Sequence, residues 1–323
     1  MTVNHHSGEF HGLPVFDFRV AVDTHGVDGE AAAPTDPREL PAAGAVAWRV
    51  SVEYDSGTTF EDVWKAFLDT VDTAGVRAVV LGGWWERDYG PIAGTLAALV
   101  REAARLPALE ALFLADVTSE ECEISWLEMS DVTPVLTAFP RLTELVVRGG
   151  NGLALAPVRH DRLTALRFES GGLPGTVVRA VAASELPALE RLVLWLGVDE
   201  YGGDSTDDDL APFLDGSRFP ALRHLGLANS EYQDEIAAAV AHAPVVARLE
   251  TLDLSMGMLT DEGATALLEG QPLTHLRALD LHHHYLSEPM QERLREALPG
   301  VALDLSEAEE EDDPEDRYVA VAE

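Results

Sequence analysis

The chain has little cysteine, lysine, aromatic residue or basic charge, and it has no long apolar run. Across 323 residues there is one cysteine, Cys122, so an intrachain disulfide is excluded and a reducing compartment is expected. No apolar segment approaches the ~20 residues of a membrane span. The opening residues MTVNHHSGEF contain neither a basic region nor an apolar segment, so no signal peptide and a cytoplasmic location are expected. Lys65 is the only lysine, and 22 basic residues face 57 acidic ones for a net charge of −35. A surface of that sign repels phosphate backbones and anionic bilayers, which argues against nucleic acid and membrane as partners. No phosphate loop and no glycine-rich dinucleotide fingerprint is present, so no cofactor is expected.

What is present is self-similarity. The strings LPALEALFL from Leu106, FPRLTELVV from Phe139, LPALERLVL from Leu186 and FPALRHLGL from Phe219 share a proline, one residue, then L-x-x-L-x-L or a close variant. Copies without the proline are LTALRF at Leu163, LETLDL at Leu249 and LRALDL at Leu276, with looser ones at Ala47, Val76 and Gly300. First positions therefore fall at 47, 76, 109, 142, 163, 189, 222, 249, 276 and 300, at intervals of 21 to 33 residues. This resembles the leucine-rich repeat, whose units run to ~20–29 residues. The stretch LETLDLSMGMLTDEGATALLEG, residues 249–270, looks like the ribonuclease-inhibitor-like subclass.

The resemblance implies an α/β leucine-rich repeat solenoid, a horseshoe of about ten irregular repeats. It would carry a parallel sheet on its concave face and helices on its convex face over residues 46–305. Residues 1–45 are read as an N-terminal capping strand and loop, and residues 306–323 as an acidic tail ending in a short strand-like segment. That last segment, RYVAVAE, is expected to dock on the last strand's edge, to dock on a partner, or to fray. In each repeat the fourth and sixth residues point into the core, and the third, fifth and seventh point out. In TTFEDVWKAFLDTV, Phe60, Val63, Trp64, Phe67 and Leu68 recur on one helical face. The ninth position, normally an asparagine that bonds adjacent turns, holds Trp84, Val117, Gly150, Gly171, Gly197, Ser230, Gly257 and His284 instead.

That register locates candidate functional residues. Outward fifth positions Val80, Phe113, Val146 and Val193 form an apolar strip, flanked by Trp195 and by Arg148 and Arg167. The turn after the second strand is expected to expose Trp84, Trp85 or Tyr89 beside it. Because interface hot spots favour Trp, Tyr and Arg, the strip reads as a docking face for another protein, unless an insertion loop covers it, while the acidic surface would recruit a basic peptide by steering. Fifth positions Asp253, Asp280 and Asp304 form an acidic ladder with His224 and His282 on the same face. Closely spaced carboxylates raise one another's pKa and suit acid–base chemistry or cation binding, while Asp is also a common solvated residue there.

The three histidines His282, His283 and His284 diverge along a strand end, so one shared metal ion is not expected and no metal site is assigned. His282 faces the concave solvent, as a ligand-facing group or a structural one. His5, His6 and His11 read as part of a mobile start, and Trp126 as locally packed. Cys122 sits among Glu120, Glu121 and Glu123, which disfavour a thiolate nucleophile.

Beyond the repeat, FHGLPVFDF, ISWLEMSDVTP, LERLVLWLG, LRHLGLANS, LDLSMGMLTDEGA, LDLHHHYLS and RYVAVAE together resemble a family of bacterial leucine-rich repeat proteins of unknown function. The resemblance implies a scaffold or partner role in a radical-SAM-associated or peptide-modification pathway, and it carries no catalytic residues. The expectation is a non-catalytic protein-interaction module. The alternative is a hydrolase or lyase built on the acidic ladder with His282. The partner and the oligomeric state stay open.

Overall fold

The L-x-x-L-x-L segments build the molecule by lateral strand pairing. The structure, a computed structural model, describes residues 3–20, 36, 39–310, 313 and 316–323; among these, twelve strands form one sheet in chain order. β1 (Glu9–Phe10) is antiparallel to β2 (Leu13–Phe18), and every later neighbour is parallel. They are β3 (Ala47–Val50), β4 (Ala78–Leu81), β5 (Ala111–Leu114), β6 (Glu144–Arg148), β7 (Ala165–Glu169), β8 (Arg191–Gly197), β9 (His224–Ser230), β10 (Thr251–Asp253), β11 (Ala278–Asp280) and β12 (Ala302–Asp304). Sequential order without closure is the topology of a solenoid, in which each unit contacts its neighbours.

Fourth and sixth positions such as Leu112 and Leu114, Leu192 and Leu194, and Leu225 and Leu227 are fully buried in one continuous core. Helices pack on that core: α1 (Phe60–Thr70), α2 (Ala93–Arg101), α3 (Thr133–Ala138), α4 (Gly175–Ala183), α5 (Asp207–Leu214), α6 (Gln233–Ala241), α7 (Asp261–Glu269) and α8 (Glu288–Ala297). Their starts follow local chemistry. Thr59 and Asp62 close a capping box on α1, and Thr206 with Asp209 does so on α5, whose first turn holds Asp207, Asp208 and Asp209. No helix among the described residues is long and apolar enough to cross a membrane.

The register corrects the first repeat. Ala47 pairs with Ala78, a third position, so that unit begins at Ala45 and not at Ala47. Val15 of β2 pairs in turn with Ala47, which adds a parallel rung from the N-terminal segment. The missing ninth-position asparagines also find their substitute. A side chain on Gly171 would collide with the Ala322 carbonyl, and one on Gly197 (φ 73°) with the Gly171 carbonyl. Val198 N–H donates to Gly171 O at 2.8 Å, so adjacent turns are joined backbone to backbone. At the last repeat His284 takes the asparagine's place: its Nδ1 accepts from Leu286 N–H at 3.1 Å, and its Nε2 lies 3.3 Å from Leu305 O.

The C-terminal segment docks on its own chain, along the rim where the strands end. Ala320 N–H donates to Met256 O at 2.8 Å. Asn229 holds both backbone groups of Val321, accepting from its N–H at 2.9 Å and donating to its carbonyl at 2.6 Å. Ser125 hydrogen-bonds Ala322 O, and Tyr201 donates to Glu323 at 2.6 Å. Val319, Ala320 and Val321 are buried. Residues 21–35, 37 and 38 of the N-terminal segment, where a loop is expected, lie outside the described residues, as do residues 311, 312, 314 and 315 of the acidic tail.

Candidate functional site

Parallel pairing stacks the outward fifth positions into one row: Val80, Phe113, Val146, Arg167, Val193, Gly226, Asp253, Asp280 and Asp304. The row changes character from apolar to acidic, and its two halves meet different fates.

The apolar half is covered. The segment before β2 folds back across it, and Phe10 places its ring 5.8 Å from that of Phe113. Phe10, Val80, Phe113 and Val146 join Ala47, Ala78 and Ala111 in a second apolar cluster, with Leu13 and Val15 packed on it. Polar contacts pin the arm. Ser7 N–H donates to Asp116 Oδ2 at 3.2 Å, Ser119 N–H to Val3 O at 2.8 Å, and His11 Nδ1 lies 2.8 Å from Glu144 Oε2. His6 and His11 are therefore fixed rather than part of a mobile start.

This corrects the expected exposure. Phe113 and Val193 are 4% exposed, and Trp84, Trp85, Val146 and Trp195 are 7% exposed. Trp84 donates its indole N–H to Gly90 O at 2.7 Å. Tyr89 alone of that turn's candidates stays open, at 41%. The strip is apolar because the chain covers it itself.

Arg148 is also buried, inside an ionic network. Asp116, fully buried, lies 3.4 Å from Arg49 Nε and 3.4 Å from Arg148 Nη1. Arg148 Nε donates to Glu169 Oε2 at 2.7 Å, and Arg167 Nε lies 2.8 Å from Glu169 Oε1. Asp17 and Glu121 also lie 3.5 and 3.9 Å from Arg49, so the network joins three guanidinium groups to four carboxylates. It surfaces at Arg167, whose guanidinium lies over the Trp195 ring at 5.0 Å. Arg191 stands exposed on the neighbouring strand, and a cavity of about 490 Å³ opens between these arginines and the N-terminal arm. Burial, reinforced by the charges of Arg191 and Arg167, holds His224 down at about 4, so it is neutral at pH 7.

The acidic half is open. Gly226 lets its neighbours close over the backbone there: a Cβ would meet Val193 Cγ1 at 3.1 Å and Asp253 Oδ2 at 3.2 Å. Asp253, Asp280 and Asp304 repeat one local turn, in which Oδ1 accepts from the residue two further on. The donors are Ser255 Oγ at 2.6 Å, His282 Nδ1 at 2.8 Å and Ser306 Oγ at 2.7 Å. Burial, with Asp280 nearby, raises the Asp253 pKa, while the hydrogen bonds of Ser306 lower that of Asp304. The Asp280 hydrogen bond raises the pKa of His282.

One ligand atom from each of Asp280, His282 and Asp304 lies within 4.8 Å of the others. Two carboxylate oxygens and one imidazole nitrogen are a donor set that a divalent ion can use. His283 and His284 take no part. His283 Nε2 lies 3.0 Å from Tyr318 O, and burial lowers the pKa of both.

Two other residues differ in outcome. Burial, reinforced by Glu123 and Glu121, raises the Cys122 thiol pKa, as its sequence neighbours imply. Trp126 is 66% exposed, which corrects the expectation that it packs locally.

Comparison with models of known families gives no match, and comparison with curated proteins gives none either. Among solved structures, a Bacteroides fragilis protein from a structural genomics consortium is 32% identical over 81% of this chain and 75% of its own, with a TM-score of 0.77. An internalin of Listeria monocytogenes is 13% identical over 72% of this chain and 55% of its own, with a TM-score of 0.36, too slight a likeness to bear on fold or function.

Proposed function

This chain belongs to the same family as the Bacteroides fragilis protein, and we propose that it is a non-catalytic interaction module whose open docking surface runs from β7 to β12. The observation that carries the proposal is the bipolar concave face. Arg167, with the exposed Arg191 on the neighbouring strand, begins the open part of the row and Asp253, Asp280 and Asp304 end it, while the apolar part is closed by the chain's own N-terminal arm.

A partner protein or peptide would set a basic group on the ladder and an acidic one at the arginines. Complementarity of this kind fixes register and speeds encounter more than it adds affinity. In the pathway setting that the family resemblance implies, the module presents a peptide or holds an enzyme of peptide modification. A second reading, a hydrolase or lyase, is favoured only by the Asp280, His282 and Asp304 cluster with the raised pKa of Asp253. Asp304 is exposed, whereas sites for small substrates are usually enclosed.

Capture from an extract of the native host tests the module reading. Arg191→Glu and Asp280→Lys are each expected to reduce the same identified partner about tenfold, a loss of the size expected for a disrupted charge pair. The convex-side variant Glu296→Lys should leave capture unchanged. Unaltered capture by both concave variants would overturn the proposal.

A further inference from the structure

A second site lies at the rim, away from the open concave face, where three loops meet at the strand ends. A cavity of about 380 Å³ is lined by Tyr54 after β3, Trp85 and Tyr89 after β4, and Glu120 and Glu121 after β5. The volume falls in the range of small-ligand pockets. Tyr54 and Tyr89 are 65% and 41% exposed, unusual for large rings in this chain, most of which are buried.

The rings stand in sequence. Trp85 and Tyr89 have centroids 5.2 Å apart with planes tilted by 33°, and Tyr89 and Tyr54 are 6.3 Å apart with planes tilted by 37°. Trp84 backs Trp85 edge-on at 4.7 Å. The loops are built to hold this arrangement. Asp55 N–H donates to Glu86 O at 3.2 Å, Gly57 N–H to Glu86 Oε1 at 3.0 Å, and Arg87 pairs with Asp55. Tyr89 adopts a left-handed backbone (φ 47°), a conformation that costs a residue with a Cβ about 1 kcal/mol or more.

Opposite the rings, Glu121 Oε2 is fixed by Thr118 N–H at 2.8 Å, and its Oε1 lies 3.9 Å from Arg49 and 3.5 Å from His6. Glu120 is exposed and forms no ion pair among the described residues. The two exposed tyrosine rings offer π-electron density, and a carboxylate lip adds full negative charge. Together they suit a cation sheathed in apolar groups, since a ring face attracts ammonium and guanidinium most strongly when the cation is partly desolvated.

We propose that this rim pocket binds the side chain of a lysine or arginine presented by a partner polypeptide. The exposed rings of Tyr54 and Tyr89 contact the cation and its stem, Trp85 backs them, and Glu120 supplies the counter-charge. The site uses none of the concave residues and does not rest on the concave-face reading.

Calorimetric titration of the full chain with the N-acetyl methylamides of arginine, lysine and norleucine tests it. Norleucine keeps the apolar stem and lacks the charge. Arginine and lysine should bind saturably, with norleucine about tenfold weaker. Tyr54→Ala, at a side chain too exposed to unfold the protein, should weaken arginine binding about fivefold. Glu120→Gln should weaken it about threefold. Asp280→Lys should leave it intact, which separates this pocket from the acidic ladder. Absence of saturation, parity of norleucine with lysine, or unchanged binding in Tyr54→Ala would each overturn the proposal.

Discussion

Replacing Asp116 by asparagine preserves shape and removes one buried charge. Asp116 is fully buried between Arg49 and Arg148, at 3.4 Å from each, and it also receives Ser7 of the N-terminal arm. After the change, Glu169 is the one buried carboxylate left to the three guanidinium groups, Arg49 keeps only the more exposed Asp17 and Glu121, and the new amide turns a donor toward them. Breaking a buried pair from one side costs about 3–5 kcal/mol. Arg148 retains Glu169 at 2.7 Å and Val117 O at 2.9 Å, and Arg49 retains Ser51 Oγ at 3.0 Å. Those remaining partners place the cost at the low end, about 3 kcal/mol. Asp17 is the control, because its carboxylate is 44% exposed at 3.5 Å from Arg49. Asp17→Asn should cost under about 1 kcal/mol. Urea unfolding followed by tryptophan fluorescence gives both values, and hydrogen exchange at residues 7–15 reports whether the arm loosens in Asp116→Asn. A loss of less than about 0.5 kcal/mol in Asp116→Asn, within the range of an ordinary surface substitution, would refute the network as a structural centre.

Trp195→Glu should destabilise the fold by about 3–5 kcal/mol instead of selectively blocking a partner, because the indole is buried under Arg167; thermal unfolding checks this. The NMR titration midpoint of His282 should lie above the ordinary histidine value and fall back in Asp280→Asn. Because the folded-state pKa is raised, this pair's contribution to stability is complete below the unfolded histidine pKa of about 6.5, and it is lost as pH rises through the folded value. Asn229→Ala leaves both backbone groups of Val321 without their partner, so hydrogen exchange at residues 319–322 should accelerate while β9 stays protected.

The repeat was legible because its period is a direct consequence of strand pairing: Leu112 and Leu114, two apart, must face one core. The acidic ladder was legible for the same reason, since the fifth positions Asp253, Asp280 and Asp304 can only stack. The fate of the apolar strip was not. Val80, Phe113 and Val146 obey the same alternation whether solvent, a partner or the chain itself covers them. The only local sign of their cover was Phe10, an apolar residue in the polar start VNHHSGEFHG. The tail clasp was hidden likewise. Asn229 and Gly171 are separated from Val321 and Ala322 by about half the solenoid, and pairings over such distances leave no periodic trace in one sequence. Misplacing the first repeat by two residues kept its inward and outward faces right, because side chains alternate with a period of two.

The most direct measurement is photo-crosslinking of the captured partner from single positions carrying a photoreactive amino acid. Ala278 lies on the open concave face, and Glu296 lies on α8 at the convex side. Crosslinks from Ala278 and none from Glu296 are the expected result. Crosslinks from Glu296, or from the exposed Trp126 position, with none from Ala278 would contradict docking on β7 to β12.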